Sequence, residues 1–293
     1  MNSSTNKLET KNYSLEDLGY PPGHFYSPLV DVYDPLVIKA VSDRIKTPLP
    51  NGITFDHQNM IRLMEKLSKH LHLFPFPRHK SPSWRFYFDN PYFACHDASV
   101  YFSMIMEYRP HRVIEVGCGF SSSLLLDTND AFFNGAIHTT FIDPYLCSTD
   151  SRFEPCNTLN AILLPIQIQK APFELFESLR ENDILFVDSS HVCKTGSDVN
   201  YYLFEILPRL EPGVLIHIHD IMYPFEYPAN MVLKEKRNWN EAYALKAFLQ
   251  YNETFNLIYW VNYAWHHCSQ YLKELMPLCL ENEGGSIWLM KCK

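Results

Sequence analysis

From residue 111 onward, short apolar runs alternate with longer stretches of helical spacing, and this alternation constrains the fold more than any other feature. Strands that alternate with helices form a mostly parallel sheet covered on both faces. The predicted strands are Arg112–Val116, His138–Ile142, Ala161–Ile168, Ile184–Val187, Val214–His219, Phe255–Tyr263 and Ser286–Met290. The predicted helices are Ser122–Asp127, Pro172–Arg180, Ser197–Leu210 and Asn238–Tyr251. Because no clear helix separates the last two strands, we expect them to form a closing antiparallel pair.

The first part of the chain has a different texture, and ten of the 20 prolines fall within residues 1–100. Helical spacing predicts one helix over residues 57–71 and another over residues 94–107. The aromatic segment Gly19–Pro28 is too rich in proline and glycine for either a helix interior or a central strand. It either packs as a loop or covers a substrate pocket. We therefore predict a tail and helical, irregular cap over residues 1–93, followed by one α/β domain over residues 94–293.

A pair of glycines lies where the first predicted strand meets the first predicted helix of this domain. The chain has only ten glycines, and Gly117 and Gly119 follow the strand directly. Such a pair allows a tight turn and a close approach of a ligand to the backbone. A dinucleotide fingerprint would need a third glycine at the position of Ser122. A nicotinamide dinucleotide and a purely structural turn nevertheless stay open as alternatives.

Two acids flank this turn and favour a cationic ligand. Glu115 precedes the glycines, where a carboxylate repels phosphate but suits the sulfonium and ammonium groups of S-adenosylmethionine (SAM). Asp143 follows the second predicted strand, at the place where an acid can accept hydrogen bonds from ribose hydroxyls. The turn and its two acids therefore predict a SAM site.

This arrangement resembles the class I SAM-dependent methyltransferases over roughly residues 95–293. Glu115, Gly117 and Gly119 match the acidic-x-Gly-x-Gly motif of that family, Ser121 stands where its third glycine usually lies, and Asp143 matches the acid after the second strand. The resemblance implies SAM as the cofactor, held by these residues. It also implies a doubly wound, mostly parallel seven-stranded sheet, which is the Rossmann-like methyltransferase fold.

Acids and histidines follow the fourth and fifth predicted strands. Asp188 and His191 come after one strand, and His219 and Asp220 come at the end of the next. The carboxyl ends of parallel strands line the ligand crevice, so we expect these side chains to converge near the glycine turn. His217 lies inside its strand and is predicted to be a core residue.

Carboxylates with imidazole predict a divalent metal, and this ligand set suits Mn, Fe or Zn better than Mg. The arrangement also resembles the metal-dependent small-molecule O-methyltransferases, in which acids after these two strands hold Mg. This resemblance implies Asp188, His219 and Asp220 as the metal ligands, although His219 stands where that branch carries an acid. A metal-free acid–base site built from the same residues stays open.

These residues predict methyl transfer from SAM to a small hydroxyl-bearing acceptor, with Asp188, His191 and Asp220 in catalysis and His191 as the base. An enzyme of another reaction class on this fold and a non-catalytic SAM-binding protein remain alternatives.

The net charge of −8 argues against a nucleic-acid partner. No apolar run approaches the ~18 residues of a membrane span. The eight cysteines include no CxxC, and no apolar signal segment begins the chain. We therefore expect a cytoplasmic protein with no membrane partner, and its aromatic cap is also compatible with a homodimer.

Overall fold

A computed structural model describes residues 19–146 and 161–293. The described residues fall into two compact units, and each is treated separately. The smaller unit consists of residues up to Asp43 together with Pro228–Asn238. It contains helix α1 (Pro35–Ser42) and a π-helical turn at Asn230–Lys234. Asp34 begins α1 by accepting a hydrogen bond from the Leu36 backbone. The predicted boundary at residue 93 stays a prediction.

The larger unit, Arg44–Tyr227 with Trp239–Lys293, is built on one seven-stranded sheet. The strands are β1 (Arg112–Val116), β2 (His138–Ile142), β3 (Ala161–Leu164), β4 (Ile184–Val187), β5 (Leu215–Ile218), β6 (Phe255–Trp260) and β7 (Ile287–Lys291). They lie in the order β3-β2-β1-β4-β5-β7-β6. Strand β7 is antiparallel to both of its neighbours, whereas the other pairs are parallel. The predicted doubly wound fold is confirmed.

Helices surround this sheet. They are α2 (His57–Ser68), α3 (Cys95–Tyr108), α4 (Phe120–Phe133), α5 (Phe173–Glu177), α6 (Asp198–Tyr201), α7 (Glu241–Leu249), α8 (Val261–His267) and α9 (Ser269–Leu275). Helix α6 continues as a π-helical turn at Tyr202–Ile206. Short 3₁₀ turns occur at Arg44–Lys46, Leu71–Leu73, Ile168–Lys170, Leu207–Arg209 and Pro277–Glu281. Among the described residues, no helix is both long and apolar enough to cross a membrane.

Two predicted strand ends and one predicted connection were wrong for local reasons. The third strand ends at Leu164, because Pro165 cannot donate to the ladder and Ile168 lies in a 3₁₀ turn. The sixth strand ends at Trp260, where the chain enters α8. Two helices, α8 and α9, therefore separate the last two strands, although those strands do pair antiparallel as predicted.

The register of the sheet aligns the ends of its central strands. Val116 at the end of β1 pairs with Ile142 of β2 and with Val187 of β4. Val187 in turn pairs with Ile218 at the end of β5. The residues that follow these four strands therefore begin at the same edge of the sheet, and this edge carries the candidate site.

The core lies between the sheet and the helices that cover it. Helix α3 is almost wholly buried, and α2 presents Met60, Met64 and Leu67, each fully buried, to the same core. Burying one such side chain stabilises a fold by about 1.5–3 kcal/mol. The helical spacing predicted for residues 57–71 therefore corresponds to packing.

Candidate active site at the carboxyl edge of the sheet

Gly117 occupies a position in the turn that no larger residue fits. Its φ of +81° lies in the left-handed region, and a Cβ built on it would lie 1.7 Å from the carbonyl oxygen of Asp188. The Gly117 N–H donates to the carbonyl oxygen of Ile142 at 3.0 Å, and the Asp188 N–H donates to that of Val116 at 2.8 Å. The glycine therefore lets the carboxyl ends of β1, β2 and β4 approach one another.

Gly119 serves a different purpose in the same turn. Its φ of −175° is extended backbone that any residue adopts. A Cβ built on Gly119 would meet no atom within 4 Å. The turn therefore leaves open space beside the Gly119 backbone at the start of α4, which agrees with the predicted close approach of a ligand.

Glu115 contacts the start of α4. Its Oε1 accepts hydrogen bonds from the hydroxyls of Ser121 at 2.6 Å and Ser122 at 2.7 Å. Burial raises the pKa of Glu115 to about 8, despite these two hydroxyl donors. Its Oε2 is buried with no hydrogen-bond partner. Of the predicted cofactor residues, Gly117 and Asp143 line the cavity described next, whereas Glu115, Gly119 and Ser121 do not. Glu115 and Ser121 instead contact each other behind the turn.

A cavity of about 680 Å³ opens at the ends of β1, β2 and β4. Gly117, Asp143 and Asp188 all contribute to its wall. The carboxylate of Asp143 accepts from the backbone N–H of Cys118 at 3.0 Å and of Tyr145 at 2.7 Å. Gln169 also lines the cavity, and its Oε1 is buried with no partner. The volume is typical of a small-molecule site.

Beside this cavity, the three predicted catalytic residues come together. Asp188, His191 and Asp220 each offer a ligand atom within 4.8 Å of the other two. The His191 Nε2 lies 3.2 Å from Asp188 Oδ1 and 3.7 Å from Asp220 Oδ2. His191 has a φ of +60° and Asp220 one of +56°. Non-glycine residues held in this left-handed region store strain and are concentrated at functional sites.

A residue that we had not predicted, Glu241, supports His191 from the other side. The His191 Nδ1 lies 2.7 Å from Glu241 Oε2, and Glu241 is fully buried at the first turn of α7. Burial lowers the pKa of His191, but the hydrogen bonds to Asp188 and Glu241 outweigh it and raise this pKa well above its usual value. An acid in the first turn of a predicted helix is common enough to give no signal of this contact.

The two histidines of the β5 region lie behind this set. His217 is fully buried and stacks on Phe186 at 3.9 Å, as expected of a core residue. Its Nε2 lies 3.4 Å from the Nδ1 of His219. Burial lowers the pKa of His219, and the charges of Asp188 and Asp220 reverse the shift and raise it. In the described part of the chain, the set with metal-ligand geometry contains His191 where the sequence predicted His219.

Asp97, in the first turn of α3, anchors the chain before β7. It accepts hydrogen bonds from the backbone N–H of Gly285 at 3.0 Å and from the hydroxyl of Ser286 at 2.6 Å. The Gly285 carbonyl in turn accepts from the N–H of Ile221 at 2.7 Å. This chain of contacts holds the residue that follows Asp220.

Comparisons with known proteins identify a methyltransferase domain in this chain. A model of a methyltransferase domain matches residues 114–221, which run from β1 through the acid–histidine set. A protein of uncharacterized function from Archaeoglobus fulgidus is 32% identical over 168 residues, which cover 56% of this chain and 76% of the relative.

Several solved structures are also similar. The apo structure of CmcI-N160 is 16% identical, with a TM-score of 0.39, over 68% of this chain and 71% of the other. The structure of the Podospora anserina methyltransferase PaMTH1 with bound SAH is 13% identical, with a TM-score of 0.40, over 84% of this chain and 100% of the other. Given the observed strand order, the glycine turn, the matching domain model and the sequence relative, the chain belongs to the class I SAM-dependent methyltransferases.

Proposed function

We propose that this protein transfers the methyl group of SAM to a hydroxyl group of a small acceptor, with help from a divalent cation. One observation carries the proposal: Asp188 belongs both to the wall of the cavity and to the Asp188–His191–Asp220 set. A methyl donor in the cavity and an acceptor at the set would therefore meet at the same residue. Holding two reactants in contact in this way contributes a large part of the rate acceleration of a transfer reaction.

The cavity and the turn beside it fit SAM. Asp143 lines the cavity, where ribose hydroxyls could donate to its carboxylate. Gly119 does not line the cavity, but the open space beside its backbone would admit the methionine part of the cofactor. Asp143 and Asp188 give the cavity wall the negative charge that suits a sulfonium. When bound, SAM supplies a methyl group activated by its positively charged sulfur. The protein needs only to orient the acceptor and to remove its proton.

The Asp188–His191–Asp220 set fits a divalent cation. Two carboxylates and one imidazole are a donor set that suits Mn, Fe or Zn better than Mg. Burial raises the pKa of Asp220, and although His219 and His191 oppose this shift, a bound cation would offset it further. Such a cation would supply a positive charge that lowers the pKa of an acceptor hydroxyl. In this form Nε2 of His191 would be a ligand of the cation, so the acceptor proton would leave to solvent.

A metal-free form of the same reaction is the second candidate. In this form a neutral His191 would take the acceptor proton at Nε2. Asp188 and Asp220, both within 4 Å of that nitrogen, would orient the ring and stabilise the imidazolium that forms.

The test is a binding and turnover experiment on the whole chain. Isothermal titration with SAM, with and without EDTA, measures cofactor binding, and elemental analysis measures bound metal. Incubating methyl-labelled SAM with a panel of sugars, phenols and polyketide alcohols measures transfer. We expect SAM to bind and labelled product to form. EDTA should abolish transfer if the metal-assisted form is right and leave it unchanged if the metal-free form is right.

Variants separate this proposal from its competitors. Asp188→Asn and Asp220→Asn should each lower transfer at least ~100-fold, because each removes a charge from the set. Asp130→Asn is the matched control, since Asp130 is partly exposed on α4 and pairs with Arg85. Wild-type turnover retained by both site variants would contradict the catalytic assignment. SAM binding without transfer to any hydroxyl would favour another reaction class or a non-catalytic SAM-binding protein.

A further inference from the structure

The carboxylate of Glu241 is fully buried, and the proposed transfer reaction gives it no role. Its Oε2 lies 2.7 Å from the Nδ1 of His191, and its Oε1 accepts a hydrogen bond from the Tyr202 hydroxyl at 2.6 Å. Burying a carboxylate costs several kcal/mol unless its oxygens are paired, and an apolar residue would fill the same volume more cheaply. The position of this acid therefore calls for an explanation beyond packing.

The segment that carries Glu241 also fixes the His191 backbone. The carbonyl oxygen of His191 accepts from the N–H of Asn240 at 3.1 Å and from that of Glu241 at 3.2 Å. The Trp239 ring lies against the imidazole, with 4.1 Å between the ring centroids. These contacts hold a residue whose φ of +60° would otherwise be unfavourable. Three consecutive residues thus surround His191 on the sides away from Asp188 and Asp220.

The two ring nitrogens of His191 consequently face different partners. Nδ1 faces Glu241, and Nε2 faces Asp188 and Asp220. A carboxylate opposite one nitrogen keeps the proton there and leaves the other nitrogen free to act as base or ligand. Carboxylates placed in this way behind a histidine also raise its basicity as a metal ligand.

We propose that Glu241 is a positioning residue that holds the Nδ1 proton of His191, so that the imidazole acts at the site through Nε2 alone. The inference rests on the proposed function, because it assigns Nε2 the role of ligand or base. The second oxygen of Glu241 accepts the hydrogen bond from Tyr202 and does not face the histidine. The substrate and the cofactor would touch His191 and not Glu241.

Three variants test this role with Mn²⁺ as the probe and with no acceptor needed. Glu241→Gln keeps the shape and one acceptor oxygen, Glu241→Leu removes the acceptor, and Tyr202→Phe is the matched control that removes only the contact on the far oxygen. We expect Mn²⁺ affinity to fall about tenfold in Glu241→Gln and about 100-fold in Glu241→Leu, and to stay within about threefold in Tyr202→Phe. Unfolding midpoints and SAM affinity, measured on the same samples, show whether each variant is folded.

A second readout does not depend on metal. In protein labelled with ¹⁵N-histidine, the hydrogen-bonded Nδ1–H of His191 should give a downfield proton signal protected from solvent exchange. The signal, assigned by its loss in His191→Gln, should persist in Tyr202→Phe, weaken in Glu241→Gln and vanish in Glu241→Leu. If wild type binds no Mn²⁺, the metal part of the proposed function fails, and this signal alone decides the role of Glu241. Folded Glu241 variants that keep both the signal and wild-type Mn²⁺ affinity would overturn the inference and leave the proposed function intact.

Discussion

The glycine turn and the acid–histidine set lie at the same edge of one sheet, yet they are constructed differently. The turn comes from a single continuous stretch, and its geometry depends on backbone atoms and on the absence of a side chain at Gly117. The set is assembled from segments that follow β4 and β5 and is supported by α7. Two of its residues are kept in left-handed backbone without being glycine. A cofactor shared by a whole family needs the first kind of construction, whereas the second can vary with the acceptor.

The turn should be the region most sensitive to a small substitution. Gly117→Ala places a methyl group within 1.7 Å of a backbone oxygen that cannot move aside, so we expect the free energy of unfolding to fall by at least ~3 kcal/mol. Gly135→Ala is the control, because Gly135 has a similar φ of +72° and no atom within 4 Å of its added Cβ. It should lose only about 1 kcal/mol. Equal losses in urea unfolding would show that the close approach to Asp188 is not what requires glycine.

Behind the turn, Glu115 should make the stability of the protein depend on pH. Burial raises its pKa from 4.5 to about 8, so the folded protein holds a proton that the unfolded chain releases. The contribution of Glu115 to stability is therefore fully present below the unfolded pKa and is lost as the pH rises toward the folded pKa of about 8. Glu115→Gln stays neutral and should gain about 4 kcal/mol relative to wild type between about pH 4.5 and about pH 8.5.

Urea unfolding in EDTA at both pH values measures this gain. Glu65→Gln, at an exposed position of α2, is the control and should follow the wild-type pH dependence. A constant difference between wild type and Glu115→Gln would mean that Glu115 is charged in the folded protein. It would then be free to act on a cationic ligand, as the sequence first suggested.

The sequence predicted the turn better than the set for physical reasons. Gly117, Gly119 and Asp143 can be identified from the sequence because a strand, a tight turn and a strand end are local features. Asp188 and Asp220 were found because parallel strands end at one edge. The choice between His191 and His219 depends on how the loop after β4 folds back, and Glu241 reaches His191 across 50 residues of sequence. No local sequence pattern indicates contacts between residues so far apart in the chain. Likewise, helix α8 was missed because its apolar residues continue the run of β6 without a break.

In the acid–histidine set, backbone strain can be measured by a pair of substitutions. His191→Ala and His191→Gly lose the same side-chain contacts, but the φ of +60° suits glycine. We expect the glycine variant to be more stable by about 1 kcal/mol in urea unfolding. At His138, exposed in β2, the order should reverse, because glycine weakens a strand. An alanine variant as stable as the glycine variant at position 191 would show that the loop relaxes once the imidazole is removed.

The smallest effect on stability should accompany a large effect on binding, at Gly119. Alanine adopts the extended φ of −175° without strain, and its methyl group would meet no protein atom within 4 Å. The free energy of unfolding should therefore change by less than ~0.5 kcal/mol.

The methyl group would project into the space that we assign to the cofactor, so SAM should bind at least ~10-fold more weakly, a loss of about 1.4 kcal/mol. Titration with SAM and with S-adenosylhomocysteine measures this loss, and Gly135→Ala should bind both ligands as wild type does. If Gly119→Ala also bound SAM normally, the open space would not belong to the cofactor. If the expected loss is found, the two glycines of this turn are required for different reasons. Folding requires Gly117, whereas ligand binding requires Gly119.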